Sequence, residues 1–447
     1  MTSHPWIPNL NSRVMEEIGI NDVMELFSDI PANIMLKEPL TELGPGMDDY
    51  RLLMLMDDKL SRNNVYRPHR MHRPPCPHIT PSLVKHVMAR SEFYTAYTPY
   101  QPEVSQGLLQ AFFEYQSMIA DLFEMDVVNA SHYDGGSALG EAVLMSFRIT
   151  RKKRVIVDRD VNPFYRRVME TYIRGVGGKV DYVDGLEEDA LSEIMNRDVA
   201  ALIIDNPTFL GKLRGNTREL AETAHDYGAL VIGLTEPLSL GVIKPPGEYG
   251  ADIAVAEGRS LGLGLNMGGI GLGILAARWD SRIVRQMPGR IIGLGEDVEG
   301  NRAYTMILQT REQHIRRERA TSNITTNEAL ATIGAAVFMA LLGKEGFKFI
   351  GEAILKRTQY LAGRLEDIDG IDLPEKGVYY FENLPIIFHN TEYRVAEDYL
   401  RTRGILPGLD LSRLMTDRKD TGLFCVSEIH SRSDIDGLVE LLGEMAG

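Results

Sequence analysis

Cysteine is nearly absent from this sequence. Two thiols, Cys76 and Cys425, in 447 residues cannot build a disulfide framework, and such usage fits a reducing cytoplasm. An excess of positive charge is missing too. The 48 Lys and Arg face 63 Asp and Glu, a formal net charge of −15. That balance argues against a general binder of nucleic acid or anionic membrane. The longest charge-free apolar stretch is Ser260–Ala277, and it holds six glycines. It reads as a buried glycine-rich loop and strand, not as a membrane span. The opening MTSHPWIPNL has neither a basic n-region nor an apolar h-region, so no secretory signal is read there. Lysine is absent from the whole interval between Lys244 and Lys344.

What is present is ordinary for a globular enzyme, with 44% hydrophobic and 25% charged residues. The length exceeds one hydrophobic core. Residues 1–80 read as an N-terminal arm, with helices at Asn11–Phe27 and Met47–Leu60 and an extended Pro/His/Arg stretch at Arg67–Pro81. Residues 81–330 read as a large α/β domain. Apolar residues recur at helical spacing from Leu109 to Phe123, and Ser137–Ile149 is a second helix. The β-like runs Arg154–Asp158, Val180–Val183, Ala200–Ile204, Ala229–Leu234, Ile253–Ala256 and Gly271–Ala277 then alternate with helices at Pro163–Gly175 and Thr217–Tyr227. Such alternation predicts an open, mostly parallel sheet covered on both faces. Residues 331–447 read as a small α+β domain. Its elements are helices at Asn327–Leu342, Ala353–Leu365, Arg394–Arg403 and Asp434–Leu442, with strands at Val378–Phe388 and Gly422–Glu428.

Three features carry chemistry in their order. Asp134-Gly135-Gly136-Ser137 precedes a helix and would offer backbone N–H groups to a phosphate; the alternative is a capped helix after a turn. Glu236 closes a β-like run, where ligands of doubly wound sheets sit. It would pair with the pyridinium nitrogen of pyridoxal phosphate (PLP), unless it is a solvated loop carboxylate. Ser260 follows the next run, 24 residues later. In PLP enzymes of the aspartate-aminotransferase fold, a Schiff-base lysine stands at about that distance from the acid. Serine supplies no amine to hold the cofactor. The pattern is a PLP-type scaffold without its own anchor.

Longer motifs point the same way. They are SEFYTAYTPYQPEVSQG (Ser91–Gly107), NASHYDGGSALGEA (Asn129–Ala142), PPGEYGADI (Pro245–Ile253), RQMPGRIIG (Arg285–Gly293) and QTREQHIRRERATSNITTNEAL (Gln309–Leu330). Together they resemble subunit 1 of the glycine cleavage P-protein, the N-terminal half of the fused forms. The resemblance covers nearly all of the chain beyond about residue 78. It implies the fold of type I PLP-dependent transferases, aspartate-aminotransferase-like: a large, mostly parallel seven-stranded sheet domain plus a small C-terminal α+β domain. It also implies that PLP is bound by a lysine-bearing subunit 2, with two of each chain. Glycine would be decarboxylated there and the aminomethyl group passed to the lipoyl arm of H-protein. Some positions depart from the family pattern. RMHRPPCP replaces a glycine-rich stretch before His78-Ile79-Thr80-Pro81. Arg259-Ser260-Leu261-Gly262 stands for Gln-Ser-Leu-Gly, Gly268-Gly269-Ile270 for Gly-Gly-Pro, and Arg319 for a lysine. A PLP-fold scaffold or regulatory paralogue without catalysis, and a stand-alone divergent PLP enzyme, are the alternative readings.

Within this picture no residue of the chain alone is catalytic. Tyr94, Tyr97, Tyr100 and Gln101 suit hydrogen bonding of a small amino acid or a lipoyl arm in a partner's pocket, or interface packing. Gly135, Gly136, Ser137, Glu236, Arg311, Thr321, Ser322 and Asn323 are cofactor-site or interface candidates. For the cluster Arg311, Arg316, Arg317 and Arg319, interface salt bridges are favoured over direct ligand contact. No metal is expected: His69, His72, Cys76 and His78 match no structural zinc spacing. Gly271-Leu272-Gly273-Ile274-Leu275-Ala276 fits a loose dinucleotide fingerprint but falls inside a strand-like run, the wrong context. The lone chain is expected to self-associate or aggregate.

Overall fold

The structure, a computed structural model, describes residues 12–36, 44, 46–96, 98–320, 322–324 and 327–446. The chain divides into two compact units, one ending at Val65 and one beginning at Tyr66. In the first, the expected helix from Asn11 to Phe27 is two pieces, Ser12–Ile18 and a 3-10 turn at Val23–Phe27. Gly19, at φ 74, ends the first piece, and the Asp22 side chain accepts from Met24 N to start the second. Asn11 lies outside the described residues. A helix at Asp49–Leu60 follows, capped by Asp48.

The second unit is built on a seven-stranded sheet. Its strands are β1 (Val127–Val128), β2 (Arg154–Asp158), β3 (Lys179–Val183), β4 (Val199–Asp205), β5 (Leu230–Thr235), β6 (Ile253–Glu257) and β7 (Gly273–Ala277). The order is β1-β7-β6-β5-β4-β2-β3. Neighbours from β3 to β6 pair in parallel, and β7 runs antiparallel to β6 and β1. Every residue of β4 and β7 is buried, because helices cover both faces. On one face Val155, Ala201, Ile203, Ile232 and Val255 pack under Ala138, Leu139 and Ala142. On the other face Ile156, Leu202 and Val231 meet Leu220, Ala221 and Ala224. Also on that face, Ala254, Ile274 and Ala276 meet Tyr115, Ile119 and Phe338.

Four helices make most of this cover: α1 (Gln106–Phe123), α2 (Gly135–Thr150), α3 (Pro163–Arg174), which adds Met169 and Ile173 on the first face, and α4 (Thr217–Asp226). Their starts follow sequence signals. Asn162 accepts from Phe164 N before Pro163 at the first turn of α3. A short antiparallel hairpin follows β7, with β8 (Ile291–Glu296) and β9 (Arg302–Ile307). The two helices expected at Asn327–Leu342 and Ala353–Leu365 are one stretch, α5 (Ala329–Leu365), broken only at Gly343 with φ 56 and ψ −175. Its length and composition would suffice to cross a membrane. Instead its first half packs into the sheet core through Ala331, Ala335 and Phe338, and its end into the small-sheet core through Leu361 and Leu365.

The small sheet is antiparallel, in the order β10 (Ile371–Asp372), β11 (Asn383–Phe388), β13 (Thr421–Cys425), β12 (Leu409–Asp410). The helices α6 (Tyr393–Thr402) and α7 (Arg432–Ala446) cover it. Residues 66–80, grouped with the arm by sequence, pack here. His72 N donates to Leu406 O at 2.9 Å, and Arg73 bonds Glu397 Oε1 at 2.6 Å. One expectation is corrected at Ser260–Ala277. Residues 271–277 are buried, but 266–270 are exposed, because that part of the loop leaves the core before β7 returns.

A tight turn ties the two sheets together. Gly211 sits at φ +88, and an added Cβ would stand 1.9 Å from Asn383 O. Gly211→Ala is therefore expected to destabilise by about 1–3 kcal/mol. Gly215, which has open space around it, tolerates Ala. Thermal midpoints of the two variants check this.

Candidate functional site

The N-terminus of α2 lies at the carboxyl end of the sheet, and side chains of this chain take its Gly135 and Ser137 N–H groups. Asp134 caps it: Oδ1 accepts from Ser137 N at 2.7 Å, and Ser137 Oγ accepts from Asp134 N at 3.1 Å. Glu257, which closes β6, reaches across, and its Oε2 accepts from Gly135 N at 3.0 Å. Its Oε1 accepts from Arg259 N at 3.1 Å and from Leu272 N at 2.9 Å. Burial pushes the Glu257 carboxyl up, against the N–H bonds that pull it down. Tyr165 of α3 fills the remaining space, since a Cβ on Gly135 would meet its Oη at 2.8 Å.

Glu236 and Ser260 follow the adjacent parallel strands β5 and β6, and the structure brings them together. Ser260 Oγ donates to Glu236 Oε1 at 2.5 Å. Burial pushes the Glu236 carboxyl up to about 8, and the nearby Glu382 adds to this. The His78 charge and the Ser260 bond act the other way. His78 bridges two further acids, with Nδ1 2.8 Å from Glu428 Oε2 and Nε2 3.3 Å from Glu382 Oε1. Burial opposes charge on this imidazole, but the bonds to Glu382 and Glu428 outweigh it and hold it well above the usual range. A cavity of about 120 Å³ adjoins the cluster, lined by Tyr165, Asp205, Glu236, Glu257 and Glu382 among others.

The other candidates lie elsewhere. Tyr94 is 58% and Tyr100 49% exposed, and Gln101 is exposed as well. Tyr100 meets His314 edge-on at 5.4 Å, which brings that segment beside the Arg-rich one. Arg311 turns inward: Nε donates to Leu308 O at 2.9 Å and Nη2 to Gly289 O at 3.1 Å. Ser322 Oγ donates to the buried Glu141 Oε1 at 2.6 Å. Ser322 and Asn323 line a separate, open cavity of about 500 Å³ beside α2 and α3. Tyr97 and Thr321 lie outside the described residues. Among the described residues no group of three His, Cys, Asp or Glu is placed to hold a metal ion. His72 Nδ1 faces Cys425 O instead, at 3.1 Å.

A family model for the glycine cleavage system P-protein matches residues 8–442. The chain belongs to the glycine cleavage system P-protein family. A relative from Staphylothermus marinus, called probable glycine dehydrogenase (decarboxylating) subunit 1, is 45% identical over 100% of this chain and 99% of its own. One of the same name from Saccharolobus islandicus is 46% identical over 100% and 98%. Among solved structures, a glycine decarboxylase (P-protein) of the glycine cleavage system in inhibitor-bound form matches with a TM-score of 0.89 and 36% identity. It covers 99% of this chain and 100% of that one. A sphingosine-1-phosphate lyase from Burkholderia pseudomallei, 14% identical with a TM-score of 0.64 over 92% of each chain, shares the fold alone. The fold is that of the type I PLP-dependent enzymes, as the sequence motifs implied.

The P-protein family uses PLP, and the residues of this cleft do not fit it. No amine stands at position 260, and two N–H groups of the helix start that would face a phosphate, Gly135 and Ser137, already bond Glu257 and Asp134. Sequence reasoning assigned no role to Glu257, Glu382 or Glu428. An acid directly after a buried strand was a signal for Glu257; Glu382, at φ 61 in a loop before β11, had none.

The raised Glu236 value sets a pH dependence. A neutral carboxyl favoured by the fold contributes fully below its ordinary 4.5, and the contribution is lost as pH rises through about 8. Glu236→Gln stays neutral throughout. Its thermal midpoint is expected to gain on that of wild type from about pH 5 to about pH 8, which a pH series of melting curves checks.

Proposed function

We propose that this chain is subunit 1 of a two-subunit glycine dehydrogenase (decarboxylating), the half that does not hold the cofactor. Its role in glycine cleavage, and its class as an oxidoreductase chain of that system, follow from the family to which it belongs. The observation that carries the finer reading is the Glu236–Ser260 hydrogen bond. The acid is not free for a pyridinium nitrogen, and no lysine stands at position 260 to bind an aldehyde. PLP would sit on a lysine-bearing homologous chain, two of each chain assembling, and would supply the electron-withdrawing chemistry for loss of carbon dioxide from glycine.

This chain would contribute shape and hydrogen bonds to its partner's site. The exposed hydroxyls of Tyr94 and Tyr100 and the amide of Gln101 would position glycine or the lipoyl arm of H-protein. Arg311, with Nη1 unpartnered, and the small polar Ser322 and Asn323 would line the same interface. The large sheet with residues 81–330 would form one domain and 331–447 the second, with residues 66–80 packed on the small sheet rather than belonging to an arm. The cytoplasm is the proposed compartment, in keeping with two free, buried thiols.

Reconstitution tests the reading. With PLP, neither visible absorbance of bound cofactor nor glycine-dependent exchange of bicarbonate is expected from this chain alone. Both are expected when the lysine-bearing homologue and lipoylated H-protein are added. Exchange by the single chain would refute the proposal; a pair that shows none would favour the scaffold reading. In the active pair, Tyr100→Phe and Gln101→Ala are each expected to lower kcat/KM about tenfold, roughly 1.4 kcal/mol, with cofactor absorbance unchanged.

A further inference from the structure

Helix N-termini attract anions, because their first N–H groups lack intrahelical partners and the helix dipole adds positive potential. At the start of α2 those groups face a cleft, and the cleft already contains an anion. Glu257 Oε2 takes Gly135 N at 3.0 Å. Both of its oxygens accept N–H bonds, from α2, from its own turn and from the lead into β7. This donor set is satisfied in full by an ionised carboxylate.

The space around it is closed as well. The glycines do not make room for a ligand; they make room for side chains. A Cβ on Gly135 would stand 2.8 Å from Tyr165 Oη and 3.1 Å from Glu257 Cβ. A Cβ on Gly271 would stand 3.1 Å from Glu257 Oε2. Asp134 takes Ser137 N, and Glu236, Glu382 and Asp205 line the adjoining cavity. A phosphate brought here would meet carboxylates on several sides and would have to displace one of them.

We propose that Glu257 is a built-in anion that occupies the phosphate position of this cleft, so that the chain rejects phosphorylated ligands by charge and volume, independently of its missing lysine. This makes Glu257 a specificity-determining residue. It deepens the reading of the chain as the half without cofactor, and it is tested on this chain alone without an activity assay.

The experiment uses the full chain as wild type, Glu257→Ala and Glu257→Gln. Thermal midpoints are read in chloride and in inorganic phosphate at matched ionic strength, and calorimetry compares PLP with pyridoxal. Wild type is expected to show no phosphate-specific shift. Glu257→Ala is expected to melt about 2–4 °C lower and to recover at least half of that loss in phosphate. It is also expected to bind PLP at least tenfold more tightly than pyridoxal. Glu257→Gln keeps the shape and loses the charge, and is expected to show a smaller loss with a phosphate gain that remains measurable. Either of two results would overturn the proposal. One is a phosphate shift in wild type as large as in the variants. The other is a folded variant with no phosphate gain; if Glu257→Ala does not fold, Glu257→Gln decides. Failure of reconstitution with the partner would leave these readings unchanged, so the two ideas fall separately.

Discussion

One carboxylate ties the cleft together. Glu257 ends β6 and accepts N–H bonds from Gly135, Arg259 and Leu272. It thereby joins the first turn of α2, the turn that carries Ser260 and the return into β7. Helix starts need partners for their free N–H groups, and buried groups left without one cost about 1–3 kcal/mol each. A chain of this fold without a phosphate at that position needs another acceptor for them. Here an acceptor comes from the end of β6.

The second constraint is the charge that this solution concentrates. Glu236, Glu382 and Glu428 gather around a single imidazole, His78. His78 holds its proton between Glu382 and Glu428, while burial and the Glu382 charge push Glu236 toward its neutral form. A buried charge network is tolerated when each member has a partner. The Glu236–Ser260 bond belongs to this network and occupies two groups that a cofactor would otherwise use. The same residues thus hold this edge of the sheet together and leave neither Glu236 nor Ser260 free.

Much of this was legible in the sequence, for physical reasons. β2 and β4 to β7 are mostly apolar runs between turn residues, and that pattern identifies strands buried on both faces. Glu236 and Ser260 could be placed together because consecutive parallel strands deliver their next residues to the same edge. The gap in lysines is visible without any structure. Other features were not legible. The β8–β9 hairpin has glycines and charges where a strand usually has branched side chains, so its pairing shows only in three dimensions. The helix expected to end at Leu342 does break at Gly343, but its immediate resumption within α5 was not legible. The partners of Glu382 and Glu428 come from residue 78, some three hundred positions away, a distance at which spacing carries no signal. Tyr94, Tyr100 and Gln101 sit on the surface, where the spacing of polar and aromatic residues does not tell what they touch.

The most direct test of the central claim is to locate the cofactor covalently. This chain would be assembled with its lysine-bearing homologue in PLP, reduced with borohydride to fix any Schiff base, and both chains mapped by mass spectrometry. The account predicts a pyridoxyl-lysine in the homologue and none in this chain; a pyridoxyl group on any lysine of this chain at the cleft would contradict it.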